Sequence, residues 1–161
     1  MNIFSTSTCP EQSARWCVDK HVVKMPTETA QLLCAAYWGQ NIEAPMKKTH
    51  FNHPSSIFTR ASCLNYEWVI EHGKALCDEY TARYGRRHAS QDVIEWCDKN
   101  SYKLLFDKFD MTDFAVAIAS EMKCRQVEGF DNLDPVMKYR YYYKIDKVHL
   151  HQWKRNKPNW L

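Results

Sequence analysis

Residues 55–84 read S-S-I-F-T-R-A-S-C-L-N-Y-E-W-V-I-E-H-G-K-A-L-C-D-E-Y-T-A-R-Y. Ile57, Phe58, Ala61, Leu64, Trp68, Leu76 and Tyr80 follow the spacing of one apolar face of an α-helix, and Gly85 supplies the stop. Asn52 and Pro54 mark the start of this helix. Upstream, Pro10 opens helical sequence that runs through 10–18 and 19–38 to Gly39, and Pro26 either kinks it or splits it in two. Residues 39–53 have no periodicity and read as a loop long enough to be functional. Downstream, Ser90 is placed to cap a helix through about Phe106. Residues 107–133 are ambiguous, with Phe114 to Met122 readable as a short helix and the rest as loop, and Asp134-Pro135 opens a last helix through about Trp153. With only 4 Gly among 161 residues, the chain is poor in turn-permissive positions. The prediction is an all-α protein, a single compact helical domain over 1–161 with about four to six helices and a long functional loop.

Composition narrows the function classes. Hydrophobic residues make up 45% and charged residues 25%, a globular balance that excludes disorder as the main description. No run reaches the roughly 20 apolar residues of a membrane span, and the first residues lack the basic and apolar regions of a signal peptide. Seven cysteines, with no Cys-x-x-Cys, argue for reduced thiols and a cytoplasmic location. The net charge is +3. Residues 131–161 hold seven Lys and Arg against three Asp, so a basic C-terminal fifth follows a near-neutral body and hints at an anionic partner.

Four constellations carry possible chemistry. On a helix, Lys20, Lys24, Glu28 and Gln31 fall within an arc of about 80°, next to His21. The plain reading is a solvated stripe with an i,i+4 ion pair; the functional one is a general acid/base carboxylate beside cations. His50, Asn52 and His53 lead into Pro54, with Arg60 one turn and a half later. A helix start with two His and an Arg suits a phosphate, or is an ordinary capped terminus; it is a poor metal site, and no metal or cofactor is expected. Arg83, Arg86, Arg87 and His88 crowd a helix end, where the dipole favours cations in any case. Arg140, Lys144, Lys147, His151 and Lys154 form a basic stripe interleaved with Tyr139, Tyr141, Tyr142 and Tyr143. Such a helix either meets nucleic acid, with phosphates on its cations and bases on its rings, or has one wet face and one core face. No Gly-rich phosphate loop, G-x-S-x-G or H-E-x-x-H is present.

The series D-K-H-V-V-K-M at 19–25, E-T-A-Q-L-L at 28–33, N-H-P at 52–54, E-Y-T-A-R-Y-G at 79–85 and Y-Y-x-x-x-K at 142–147 resembles a group of small phage and bacterial proteins over nearly the whole chain. The chain is also similar to the pyrimidine-dimer DNA glycosylases of the phage endonuclease V type. The likeness lies in His53-Pro54, Tyr84-Gly85 and the ending Lys157-Pro158-Asn159-Trp160. This resemblance implies a compact all-α enzyme in which Glu28 is the catalytic carboxylate and Lys24 its basic neighbour. Two departures stand out: the family's Arg and Glu are adjacent, whereas Lys24 and Glu28 are a turn apart. Residue 2 is Asn, too large for efficient removal of Met1, so an amine nucleophile is the Met1 amine, Lys20 or Lys24.

The expectation is therefore a DNA glycosylase, with AP-lyase activity as an option, that excises a damaged or modified pyrimidine in the cytoplasm (the host's, if phage-encoded). The expected catalytic residues are Glu28, Lys24, Lys20 and His53. The expected substrate-binding residues are His21, Gln31, His50, Asn52, Arg60, Arg83, Arg140, Tyr142, Tyr143 and Lys147. The rivals are an enzyme on a small nucleotide or phosphorylated metabolite and a non-catalytic phage accessory protein that binds nucleic acid. Steep salt dependence marks duplex binding, and indifference to Glu28→Gln marks the accessory protein.

Overall fold

Six α-helices and no strand make up the computed structural model, which describes residues 1–161: α1 (Pro10–Arg15), α2 (Asp19–Trp38), α3 (Pro54–Ala61), α4 (Cys63–Tyr84), α5 (Gln91–Lys99) and α6 (Pro135–Ile145). The all-α prediction is correct. No helix is long and apolar enough to cross a membrane.

Helix α4 is the central post, packed against α1, α2, α3 and α5. One side of it contributes Tyr66, Val69, Ile70 and Cys77 to a core shared with Leu33 and Tyr37 of α2 and Ile94 of α5. The other side contributes Leu76 and Tyr80 to a second core with Val18, Val22, Tyr139 and Tyr143. Wholly buried aliphatic side chains such as Leu33, Val69 and Leu76 each stabilise the fold by roughly 1.5–3 kcal/mol. At Gly73 a Cβ would stand 2.8 Å from Thr29 Cγ2, so glycine lets α4 approach α2 closely, one residue from Glu28. Gly85 ends α4 at φ 68°, with its N–H donating to the Thr81 carbonyl at 2.8 Å.

The boundaries depart from the sequence reading in ways that have local causes. The 55–84 run is two helices, because Ser62 turns to φ −154° and its Oγ accepts the Asn65 N–H at 3.1 Å. The freed Cys63 and Leu64 N–H groups donate to the Lys108 and Phe109 carbonyls. Trp16–Val18 separate α1 from α2, whereas Pro26 lies within a continuous α2. Near Pro26 the Val23 carbonyl takes an outside donor, His88 Nε2 at 3.0 Å. Helix α5 ends at Lys99, short of Phe106, where Asn100 Nδ2 takes the Trp96 carbonyl. Residues 114–119 are non-helical. Helix α6 stops at Ile145, short of Trp153, because the Asp146 carboxylate turns to accept the Lys123 and Cys124 N–H groups, both at 2.9 Å. The basic stripe expected to run to Lys154 is therefore broken after Lys144.

All seven cysteines are free, and Cys17, Cys34, Cys77, Cys97 and Cys124 are buried.

Candidate active site

The chain enters through the core. Residues 3–6 are almost completely buried, and Asn2 is pinned ahead of them. Its Oδ1 accepts the Tyr139 hydroxyl at 2.6 Å and its Nδ2 donates to the Ala117 carbonyl at 3.0 Å. This anchoring presents the start of the chain to the middle of α2. The Asn2 N–H donates to Glu28 Oε2 at 2.9 Å, and the Met1 α-amine lies 3.6 Å from the same oxygen. Lys24 Nζ, one turn back on α2, is 2.9 Å from Glu28 Oε1. Both carboxylate oxygens are thus engaged by nitrogen donors, and the Glu28 side chain is only 11% exposed.

Around this cluster lies a cavity of about 340 Å³ lined by Met1, Asn2, Phe4, Lys20, His21, Lys24, Met25, Glu28, Tyr142, Lys147 and Leu150. Six of the residues picked from the sequence converge here: Lys20, His21, Lys24, Glu28, Tyr142 and Lys147. His21 is held on two sides. Its ring stacks on Phe4 at 4.0 Å between centroids and 11° between planes, and its Nδ1 is 2.6 Å from the Tyr143 hydroxyl. With the phenol as donor to Nδ1, the neutral imidazole carries its own proton on Nε2. Burial, reinforced by the Lys147 and Lys24 charges, pushes the His21 pKa down to about 3. The ring is a neutral donor across the physiological range. Lys147 sits over the Tyr142 ring at 4.7 Å. Lys20 also lines a neighbouring cavity with Lys154, Tyr84 and Asp19, which extends the cationic rim. Lys20, Lys147 and Lys154 have no carboxylate within 4.0 Å in the protein.

His53 reaches the same neighbourhood from the long loop. It caps α3, its Nδ1 accepting the Ser55 N–H at 3.1 Å, which leaves the proton on Nε2. Its pKa is lowered, chiefly by burial and then by the Met1 ammonium and His50, with Glu28 opposing; the ring is within electrostatic reach of the Met1–Glu28 pair. His50 is exposed and contacts Thr49 Oγ1, while Asn52 and Gln31 line no part of this cavity.

Four other expected binding residues lie elsewhere. Arg83 is wholly buried, donating to Glu79, Asp19 and the Cys17 and Arg15 carbonyls; it ties α4 to α1 and the start of α2. Arg140 donates to the Thr6 carbonyl and lies between the Trp16 and Trp160 rings. Tyr143 is wholly buried behind His21. Arg60 stacks on Phe51 in a separate cavity. The other cations at the end of α4 are also occupied: Arg87 pairs with Asp92 and Glu95, and Arg86 donates to the Tyr80 hydroxyl. The sequence reading missed Asn2 and Phe4, whose positions depend on Tyr139 and His21 and leave no periodic signal. It also missed that Tyr143 acts on His21 from behind.

The family model for Pyrimidine dimer DNA glycosylase matches residues 1–92, the part of the chain that contains the whole Met1–Lys24–Glu28 cluster, His21 and His53. No curated protein and no solved structure matches the chain.

Proposed function

Since the chain belongs to the pyrimidine dimer DNA glycosylase family, we propose that it excises a damaged pyrimidine, of the dimer type, through a covalent amine intermediate formed in the Met1–Glu28 cavity. The observation that carries this reading is the amine–carboxylate pair, 3.6 Å apart in a pocket also lined by Lys20 and Lys147, neither of which has a carboxylate partner.

Three amines are near enough to serve: Met1, Lys24 and Lys20. The Met1 α-amine fits best. Its side chain is 2% exposed, so the amine is fixed in place, whereas the Lys24 side chain is 67% exposed. As a class, α-amines also lose their proton about two to three pH units below lysines, which leaves more of the nucleophilic form at neutral pH.

The neutral amine adds to C1′ of the target nucleotide as the C1′–N1 bond breaks. The base leaves with the bonding pair and is protonated as it goes, and the amine gives up a proton to the Glu28 carboxylate. Glu28 also stabilises the positive charge developing on the sugar. Opening of the sugar ring then gives a Schiff base, from which loss of the 3′-phosphate by β-elimination is the lyase step. His21, held by Tyr143 and Phe4, supplies an Nε2–H donor to the sugar or the leaving base. Tyr142, buried in the cavity wall with Lys147 over its ring, backs the space an extruded base enters, and Lys20, Lys24 and Lys147 hold flanking phosphates. His53, which lies outside the cavity lining but within electrostatic reach of the Met1–Glu28 pair, is a neighbouring N–H donor. Five buried free thiols support work in a reducing cytoplasm.

The test is incubation with duplexes carrying pyrimidine dimers or modified pyrimidines, with and without borohydride. The expected result is cleavage of the glycosidic bond, read as free base from modified pyrimidines and as free base after photoreversal from dimers, whose cut pyrimidine stays tethered through the cyclobutane ring, together with a reduced protein–DNA adduct whose peptide map places the label on residue 1. Glycosidic cleavage with no adduct replaces the covalent route by direct hydrolysis. No glycosidic cleavage in any such duplex ends the glycosylase reading.

A further inference from the structure

A cavity of about 580 Å³ shares no residue with the one around Glu28; its lining includes Gly39, Phe51, Arg60, Leu105, Asp107 and Lys108. It nevertheless lies on the same side of α2. Gly39 follows Glu28 by eleven residues, which brings it to within about 20° of the same helix face and roughly 16 Å further along the axis. The loop between the two sites contributes to both, with His53 near Glu28 and Phe51 in the wall of the larger cavity.

Arg60 is fixed and forms no ion pair, although Asp107 and Lys108 both line the same cavity. Its NH1 donates to the Phe51 carbonyl at 2.6 Å and to Ser56 Oγ at 2.9 Å, and its guanidinium lies 3.7 Å over the Phe51 ring. Lys48 Nζ sits 4.1 Å from the same ring centroid. No carboxylate is within 4.0 Å of Arg60, and its Nε and NH2 have no partner in the protein. An immobilised guanidinium with free donors is suited to a phosphodiester. Beside it, Leu105 is 82% exposed although its backbone is clamped at two points, N–H and C=O both bonded to the Gln40 side chain at 2.9 and 2.8 Å. The clamp holds an apolar side chain out into solvent next to a cation, an arrangement that fits the apolar sugar edges of a nucleic-acid groove.

We propose that this cavity is a second DNA-contact site, in which Arg60 takes a backbone phosphate about five base-pair steps from the excised base and Leu105 lies against the adjoining deoxyriboses. The placement relative to the excised base rests on the glycosylase reading; the phosphate contact does not.

The test titrates binding of a 30-base-pair undamaged duplex against salt by fluorescence anisotropy, for the full chain and its Arg60→Gln, Arg60→Lys and Leu105→Ser variants. Arg60→Gln is expected to bind several-fold more weakly, with the log–log salt slope shallower by about one. Arg60→Lys keeps the charge without the fork, so it should retain the slope with intermediate affinity, and it stands in if Arg60→Gln does not fold. Leu105→Ser should weaken binding at an unchanged slope. On lesion duplexes, wild-type affinity should fall once one arm is shorter than about five base pairs, and Arg60→Gln should be indifferent to that shortening. Wild-type affinity, salt slope and length dependence in Arg60→Gln, or wild-type affinity in Arg60→Lys where Arg60→Gln does not fold, overturns the proposal. So does full displacement of the Arg60 contribution by millimolar inorganic phosphate, which marks a small-anion site, or an effect of Leu105→Ser on self-association alone, which marks a protein interface. The anisotropy needs no catalysis, so failure of base excision is a separate outcome.

Discussion

Replacing Arg83 by Met separates a phosphate-binding arginine from a structural one. The side chain is completely buried and makes four bonds of 2.8–2.9 Å, to Glu79 Oε1, Asp19 Oδ1 and the carbonyls of Cys17 and Arg15. Methionine fills the space but returns none of these bonds. Two carboxylates then remain in the interior with reduced compensation. Glu79 keeps Asn156 Nδ2 at 3.1 Å and Arg155 Nε at 3.4 Å, and Asp19 keeps the Lys154 N–H at 3.1 Å. Removing one partner of a buried ion pair costs about 3–5 kcal/mol, a fifth or more of the roughly 5–15 kcal/mol of a typical domain. For a chain of this length that lowers Tm by roughly 6–20 °C. The assay pairs thermal or urea melts with duplex binding measured well below Tm. Melting is expected to drop by this amount, with Kd and its salt slope unchanged in the folded fraction. Arg83→Lys should recover less than half the loss, since an ammonium cannot span the four acceptors. A variant that melts like wild type but binds DNA more weakly would refute the structural assignment and return Arg83 to the phosphate contacts.

Glu28→Gln keeps an acceptor for the Asn2 N–H, so the fold should survive while base excision falls at least about 100-fold, read in single-turnover assays beside circular dichroism. Lys147→Ala should chiefly weaken duplex binding and reduce its salt slope by about one, with the single-turnover rate at saturation little changed; an unchanged slope removes Lys147 from the phosphate contacts. Folding stability should fall on acidification. Burial depresses His21 to about 3 and His72 to about 4, below the roughly 6.5 of an unfolded histidine. The unfolded chain therefore binds more protons below pH 6.5, and each ring then removes about 1.4 kcal/mol per pH unit until its folded pKa is reached. Urea midpoints measured from pH 8 to 4 should decline below about 6.5, and His72→Gln should flatten that decline.

Helix α4 was legible because everything that makes it is local: the apolar spacing through Trp68, Leu76 and Tyr80, and a glycine at a position that needs positive φ. The same holds for the starts of α3 and α6, where Pro54 and Pro135 follow residues whose side chains cap the helix. The Lys24–Glu28 pair was legible as a one-turn spacing, and the structure adds the Met1 amine to it. What could not be read were features set by distant partners. Ser62 breaks the 55–84 helix because the 108–109 segment arrives to take its N–H groups. Asp146 ends α6 early because Lys123 and Cys124 present theirs. Arg83 looked like a surface cation at a helix end, and only the meeting of Asp19 and Glu79 makes it an interior one. Tyr143 was picked as a surface ring among four nearby tyrosines, but consecutive helix positions face different ways, and its direction is into the core against His21.

The hydrogen bond from Tyr139 to Asn2 joins residues 137 positions apart, and this has a consequence for the newborn chain. Asn2 and Phe4, which help to wall the cavity around Glu28, are synthesised more than a hundred residues before Tyr139, the anchor of Asn2. Closing a loop of that length costs about 4 kcal/mol in chain entropy, recovered only when α6 docks. A nascent chain stalled before Tyr139 is therefore expected to hold Asn2 loose, its N–H away from Glu28, and to leave the proposed site unformed while translation is still under way.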